Sequence, residues 1–178
     1  MTLYRDKGVV IRTWRLGEAD RIVVVLTPEH GKVRAVAKGV RKTRSKFGGR
    51  LEPTNHVDLQ LYAGKGDLGI ITQAETIDRF ESVRADPDRF SEASALLEVV
   101  DAVSPDGNPD RQRYEMLLGA LKILDHAPAP LLVPAFYLKL IAHEGLAPHL
   151  DTCVRCGLSV PLVAIDFGEG GTLCGDCR

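Results

Sequence analysis

Four cysteines near the end of the chain are the residues whose type and spacing most directly indicate chemistry. They form two C-x2-C pairs separated by 17 residues and include every cysteine of the sequence: Cys153, Cys156, Cys174 and Cys177. A C-x-x-C turn brings two thiolates to one ion, and a second such turn completes a tetrahedral four-sulfur site. The pattern predicts one structural zinc ion with no open coordination position for catalysis.

Two disulfides, unligated thiols or a redox pair are the alternatives to zinc at these cysteines. The first seven residues lack the apolar core of a secretion signal, which disfavours disulfides. No uncharged apolar run approaches the ~18 residues of a membrane helix. We therefore expect a cytoplasmic protein with reduced thiols and no membrane partner. Gly157 and Gly175 are expected to allow the tight backbone of the two turns.

The rest of the sequence gives no catalytic motif. The five histidines do not pair at ligand spacing, and the chain has neither a phosphate-binding glycine loop nor a nucleophile elbow. This pattern predicts a protein that is not an enzyme.

The net charge of −1 conceals a strong split along the chain. Residues 1–50 carry 13 Lys and Arg against four acids, a net charge of +9, whereas residues 51–178 carry a net charge of −10. An asymmetry of this size indicates a polyanionic partner for the basic segment.

Residues 38–50 are the densest basic segment, with six Lys and Arg and no acid. Such cations neutralise backbone phosphates, and Phe47 would offer a stacking surface to an unpaired base. A solvated charged loop is the alternative. With one residue of the preceding strand, the predicted DNA-binding set is Arg34, Lys38, Arg41, Lys42, Arg44, Lys46, Phe47 and Arg50. Trp14 is assigned to the core or rim of the fold in preference to a base platform.

Hydrophobic periodicity predicts an α+β fold. Five strands with glycine-containing turns, one of them at 63–67, suggest an OB-like β-barrel; they are expected at 8–14, 21–27, 32–38, 55–62 and 68–74. Three helices follow, at 92–103, 109–126 and 131–144. Ser91 and Asn108 are the expected N-caps of the first two, and Gly145 ends the third. The predicted domains are an OB-fold at 1–80, a helical domain at 81–150 and a zinc-binding segment at 151–178.

Several short motifs resemble the RecO family of bacterial recombination mediators. They are Gly17-Glu18-Ala19-Asp20-Arg21-Ile22, Leu26-Thr27, His30-Gly31-Lys32, Ala37-Lys38-Gly39-Val40-Arg41, Ser45-Lys46-Phe47-Gly48-Gly49 and Leu51-Glu52-Pro53. The resemblance covers essentially the whole chain. It implies an N-terminal OB-fold, a helical domain and a zinc-binding site formed by two C-x-x-C pairs.

The resemblance also implies a function in DNA repair. We expect binding of single- and double-stranded DNA, annealing of complementary strands, and help with RecA loading together with RecR and single-stranded DNA-binding protein. Association with the nucleoid during repair would follow. Members of the family usually continue beyond the cysteine segment with more helices. The sequence stops one residue after Cys177, so the zinc segment is expected to be truncated and the surface for single-stranded DNA-binding protein incomplete.

Two other classes stay open. An RNA-binding OB protein would share the barrel and the basic loop, and the 2′-OH would separate it from a DNA-binding protein. A thiol-redox or zinc-dependent enzyme is the third reading, and a zinc ion without an exchangeable water would count against it.

Overall fold

A computed structural model describes residues 2–64 and 68–178. Residues 65–67 of the predicted turn lie outside the described part of the chain. The structure divides into two compact units, Met1–Val133 and Pro134–Arg178. Among the described residues, no helix has the length and apolar character needed to cross a membrane.

The first unit contains a closed five-stranded barrel. Its strands are β1 (Leu3–Leu16), β2 (Asp20–Thr27), β3 (Gly31–Ala37), β4 (His56–Tyr62) and β5 (Gly69–Asp78). The order around the barrel is β1-β2-β3-β5-β4, with β3 and β5 parallel and the other pairs antiparallel. This is the architecture of an OB-type barrel, and it confirms the predicted α+β fold with an N-terminal barrel.

Alternating apolar residues fill the barrel. In β4, Val57, Leu59 and Leu61 are at most 1% exposed and point inwards, while Asp58 and Gln60 alternate with them on the outside. The interior joins residues from all five strands and two from the long connection between β3 and β4: Val10, Val23, Val25, Ala35, Ala37, Phe47, Leu51, Val57, Leu59, Leu61 and Ile71.

Three helices complete the first unit: α1 (Glu81–Ala85), α2 (Pro87–Val103) and α3 (Arg111–His126). The short α1 was not predicted, and both predicted N-caps are wrong. Asp86 caps α2, accepting from the backbone N–H of Asp88 at 2.9 Å with Pro87 as the first helical residue. Asp110 caps α3, accepting from Arg113 N–H at 2.9 Å. A carboxylate at each position satisfies the free N–H groups of the first turn, which places the starts elsewhere than Ser91 and Asn108.

The second unit begins in α4 (Leu132–His143) and ends in a hairpin of β6 (Leu162–Asp166) and β7 (Gly171–Cys174). Gly145 adopts φ +77° just after α4, and Leu146 N–H bonds to Ile141 C=O at 2.9 Å. This is the left-handed helix ending that glycine favours, as predicted.

Candidate metal centre and nucleic-acid interface

The four cysteines lie together at the end of the β6–β7 hairpin. Their Sγ atoms are all within 4.8 Å of one another, and Cys156 Sγ is 3.8 Å from Cys174 Sγ. A tetrahedral ion with Zn–S bonds of ~2.3 Å requires sulfurs about 3.75 Å apart. The cluster therefore fits a single four-sulfur metal ion, and every predicted ligand belongs to it.

Local backbone geometry brings the first cysteine pair to the hairpin. Gly157 adopts φ +73° and its N–H bonds to Cys153 C=O at 2.8 Å, closing the first turn. Gly171 lies so close to this turn that an added Cβ would collide with Val154 and with His149 C=O. The second turn does not need a glycine, because Gly175 is not among the residues with positive φ, contrary to the expectation from sequence.

Arg155 links the two cysteine turns to the hairpin. Its guanidinium donates to Cys177 C=O at 2.6 Å and to Glu169 at 2.8 Å, and it lies 3.5 Å from Asp166 Oδ2. One side chain thus connects the first turn, the second turn and the bend between β6 and β7. This arrangement positions all four sulfurs without help from a large apolar core, since the buried apolar residues here are Cys153, Leu173 and Cys174.

The thiols differ in their readiness to ionise. Backbone N–H groups of Cys174 and Cys156 lower the pKa of Cys153 to about 6, whereas side-chain hydrogen bonds with Cys174 and Cys156 raise the pKa of Cys177 to about 12. A metal binds the thiolate form, so it would displace the protons that these crowded sulfurs share. His149 is bonded to Thr152 Oγ1 at 2.8 Å and is not part of the cluster.

The basic loop, residues 38–50, lies across one end of the barrel. Phe47 is 1% exposed and packs in the barrel interior with Leu51, so the prediction of an exposed stacking surface at Phe47 is wrong. Although charged residues surround Phe47 in the sequence, its ring fills space in the barrel interior, because an unfilled apolar interior would be exposed to water. Leu51, an apolar residue four positions after Phe47, also packs in the barrel interior. This pair of apolar residues is the feature of the sequence that could have indicated a loop with one buried side.

Several loop cations hold the loop in place. Arg41 donates to Glu18 C=O at 2.8 Å, Lys46 donates to Thr72 C=O at 2.8 Å, and Arg50 donates to Lys46 C=O at 2.9 Å. Lys38, Lys42 and Arg44 are exposed. Within the described residues, no hydrogen bond or ion pair engages the side chains of these three. The loop therefore presents free cations on an anchored backbone.

Arg34 lies apart from the loop, on the outer face of the barrel. It shares a groove with Trp14, and its Nη1 is 3.6 Å from Asp106 Oδ2. The remaining members of the groove are two further cations, one apolar residue and one further acid: Arg12, Lys32, Val24 and Asp101. The groove includes the outer face of β2 and β3, and the face of strands 2 and 3 is one on which OB-folds bind oligonucleotides.

Sequence reasoning missed this groove because of a β-bulge. The register of β1 on β2 shifts between Val10 and Arg12, so that Val10 faces Val25 in the interior while Trp14 pairs with Ile22. Without the extra residue, Trp14 would share the inward side of Val10. The bulge turns it outwards, so Trp14 is half-buried in a groove of the barrel surface: of the two predicted places, core or rim, the structure excludes the core.

The barrel, the helices and the four-cysteine cluster define an OB-fold protein with an accessory four-cysteine module whose geometry fits a metal ion. Residues 1–80 match the family described as Recombination protein O N terminal, and residues 84–178 match Recombination protein O C terminal. The chain belongs to the RecO family, as the sequence motifs indicated, and thereby to a family of DNA repair proteins.

Curated relatives carry the same name over the full chain. The DNA repair protein RecO of Streptomyces griseus is 45% identical over 100% of this chain and 75% of its own length. That of a Nocardioides species is 46% identical over 99% of this chain and 75% of its own length. Among solved structures, an asparaginyl-tRNA synthetase of Pyrococcus horikoshii complexed with asparaginyl-adenylate matches at 15% identity, with a TM-score of 0.34, over 96% of this chain and 39% of its own.

Proposed function

We propose that this protein binds single- and double-stranded DNA through the basic loop and anneals complementary strands during repair. The observation that carries the proposal is the group of exposed, unpaired cations on an anchored backbone, Lys38, Lys42 and Arg44, at the end of an OB-type barrel. Arg41, Lys46 and Arg50 would add charge while holding the loop in shape. An anchored loop loses little conformational entropy on binding, which favours affinity.

Phosphate neutralisation is the physical basis of both activities. Each Lys or Arg that contacts a phosphate releases condensed counterions, and this contribution does not depend on base sequence. Two strands neutralised in this way approach with less repulsion, and their base edges remain free to pair. Annealing by this route needs no nucleotide.

The family membership supports the proposed partners. We infer that the chain acts with RecR and single-stranded DNA-binding protein to assist RecA loading, and that zinc is the ion held by the four cysteines. Four thiolates whose sulfurs lie within 4.8 Å of one another suit zinc and leave no position for a substrate. The role of this ion is structural, because it would hold the hairpin and both cysteine turns together.

The test is a charge reversal restricted to the free cations. We expect Lys38→Glu, Lys42→Glu and Arg44→Glu together to abolish most DNA binding at low salt and to lower the salt slope by roughly 2 units, since each phosphate contact contributes ~0.7–0.9. Fluorescence anisotropy of labelled single strands and duplexes across a salt series measures both quantities. Sparing Arg41 and Lys46 preserves their bonds to the barrel.

A matched control separates the loop from net charge. The triple variant Lys7→Glu, Lys122→Glu and Lys139→Glu makes the same change in charge at exposed positions outside the loop, and we expect most affinity to remain. If the loop variant bound DNA as tightly as the wild type at low salt, the loop would not be the binding site. The same titration with RNA of identical sequence distinguishes a DNA-binding from an RNA-binding protein.

A further inference from the structure

The groove beside Trp14 is a second candidate binding element, separate from the basic loop. It has a volume of about 330 Å³ and is lined by two arginines, one lysine, two aspartates, Trp14 and Val24. Pockets that bind small molecules have volumes of ~300–1,000 Å³, so the groove is at the lower end of this range. The groove lies on the outer face of β1–β3, where the α2–α3 connection passes beside β3.

Three cations and two carboxylates give the groove a net charge of +1, and each of these side chains is already paired within it. Lys32 Nζ donates to Asp101 C=O at 2.8 Å and lies 3.2 Å from Asp101 Oδ1 and 3.4 Å from Asp106 Oδ1. Arg12 lies 3.1 Å from Asp101 Oδ2, and Arg34 lies 3.6 Å from Asp106 Oδ2. A phosphate entering here would meet two carboxylates, so the groove suits a neutral group better than an anion.

The indole of Trp14 supplies a flat apolar surface at this place. The guanidinium carbons of Arg12 and Arg34 lie 5.9 and 5.6 Å from the ring centroid. The side chain of Arg12 is 66% exposed, so its guanidinium has room to leave the ring when another planar group arrives. Aromatic rings on OB surfaces stack on unpaired bases, whereas a base inside a duplex has no free face.

Asp106 adds a hydrogen-bond acceptor to the groove. Its side chain is 49% exposed, and its two ion-pair contacts, at 3.4 and 3.6 Å, are longer than strong hydrogen bonds. A carboxylate has about four acceptor positions, so Asp106 retains capacity for an amino group. The backbone holds this turn independently of the carboxylate, because Gly107 N–H bonds to Lys32 C=O at 2.9 Å.

We propose that this groove holds one unpaired nucleobase stacked on Trp14, and that Asp106 selects bases with an exocyclic amino group over thymine. The proposal deepens the proposed function, because it rests on DNA binding and assigns strand preference to a site outside the loop. Cytosine and adenine present an amino donor to the carboxylate, whereas thymine presents a carbonyl in its place.

Intrinsic fluorescence tests the stacking directly, because Trp14 is the only tryptophan in the chain. Titration of the whole chain with a short deoxycytidine homopolymer is expected to quench the emission, while a duplex of the same length binds without quenching. By anisotropy, Trp14→Ala is expected to weaken single-strand binding roughly five- to a hundredfold and to leave duplex binding nearly unchanged. Trp14→Phe, which keeps an aromatic face and guards against loss of folding, is expected to retain the single-strand preference.

Selection between bases is measured as the ratio of the affinities for deoxycytidine and thymidine homopolymers. The wild type is expected to bind the deoxycytidine homopolymer about two- to tenfold more tightly than the thymidine homopolymer, as one hydrogen bond would give. In Asp106→Ala this ratio falls towards one, even if release of Arg34 raises both affinities. The matched control is Asp88→Ala, which removes the same charge at the other end of α2, about 20 Å along the helix from Asp101.

The outcomes separate this proposal from the proposed function. Unchanged Trp14 emission in a protein that anisotropy shows to be bound to single strands would overturn the base site and leave the loop as the binding element. Equal affinity for the two homopolymers would overturn selection by Asp106. Absence of DNA binding in the wild type would instead overturn the proposed function itself.

Discussion

Phe47 gives the basic loop a structural role beside its charges. The ring is buried in the barrel interior, and Lys46 Nζ lies 5.0 Å from its centroid. The backbone N–H of Phe47 also bonds to Ser45 Oγ at 3.2 Å. The loop is therefore attached to the barrel at its middle, so its exposed cations occupy defined positions.

Removing this ring should destabilise the barrel strongly. We expect Phe47→Ala to lower the free energy of unfolding by about 3–5 kcal/mol, because a buried aromatic leaves a cavity when it is truncated. Urea unfolding followed by circular dichroism measures the change. Arg44→Ala, three residues away and exposed, should stay within about 0.5 kcal/mol of the wild type. A similarly small effect for Phe47→Ala would contradict its role in closing the barrel.

A buried hydrogen bond between His56 and Tyr114 links β4 of the barrel to α3. His56 Nε2 lies 2.7 Å from Tyr114 Oη. Burial lowers the pKa of His56, with the charge of Lys122 acting in the same direction, and burial raises the pKa of Tyr114 to about 12. At neutral pH the imidazole is thus uncharged in the folded state and the Tyr114 hydroxyl keeps its proton, so the two share a neutral hydrogen bond.

The pKa of His56 predicts how stability depends on pH. Because this pKa is lower in the folded than in the unfolded chain, the unfolded chain binds the proton first, and stability is lost as pH falls below about 6.5. Urea unfolding at pH 7.5 and pH 5.5 should show this loss in the wild type and a smaller one in His56→Gln. Carboxylates titrate mainly below this window, so equal losses in the two proteins would exclude His56 as the cause.

Residue types alone predicted one site and misplaced another. The cysteine spacing predicted the four-sulfur cluster, because a C-x-x-C turn by itself brings two sulfurs close enough to bind one ion. The position of Trp14 was not predictable, because a single extra residue in β1 reverses the side of the strand on which it lies. Phe47 was misread because its burial depends on a barrel interior formed by distant strands.

At the level of elements, apolar alternation predicted the strands and the barrel, while the helix starts depended on single side chains. β1 begins at Leu3, earlier than the predicted residue 8. Its first part lacks an apolar alternation, because the buried Asp6, paired with His30, lies opposite Leu59 on the inner side. The starts of α2 and α3 follow Asp86 and Asp110, which compete with other capping residues a few positions away. Such competition is decided by packing of the whole helix.

The β6–β7 hairpin has little apolar packing of its own. A two-stranded hairpin is marginally stable by itself, and the buried apolar residues here are Cys153, Leu173 and Cys174. An ion held by the four cysteines would therefore supply much of the stability of this segment, since binding to structural four-ligand sites contributes on the order of 10 kcal/mol.

Metal removal should therefore unfold this segment selectively. Elemental analysis is expected to give about one zinc per chain, and treatment with a chelator should expose four titratable thiols and make residues 144–178 sensitive to protease while the barrel resists. His149→Ala is the control and should keep the metal, since His149 is not in the cluster. Four free thiols in a metal-free protein that remains protease-resistant would refute the structural role.

At the scale of the whole molecule, charge is separated along the chain. Residues 1–50 carry a net charge of +9 and the remaining residues −10. The basic residues of segment 1–50 include those of the loop and those on the outer face of β1–β3. The acidic share would repel DNA from other surfaces, which favours one bound orientation.

Annealing is expected to proceed without nucleotide, because phosphate neutralisation alone brings complementary strands together. Two complementary oligomers, one carrying a fluorophore and the other a quencher, should pair faster in the presence of the protein and at the same rate with or without ATP and magnesium. Acceleration should decrease with rising salt. A strict requirement for ATP would contradict the mechanism, and the loop variant should show no acceleration.

The strand order has a consequence for how quickly the barrel forms. β1–β2 and β2–β3 are local hairpins, but β1 must also pair with β4, where Leu3 lies opposite Tyr62. Folding rates fall as contacting residues become more distant along the chain. Closure also has to gather the like charges of the loop at the barrel end, so it should be the slow step, and refolding should quicken when salt screens that repulsion. During synthesis, the first three strands would leave the ribosome before β4, so they would form an open sheet whose β1 edge stays unpaired until β4 is made.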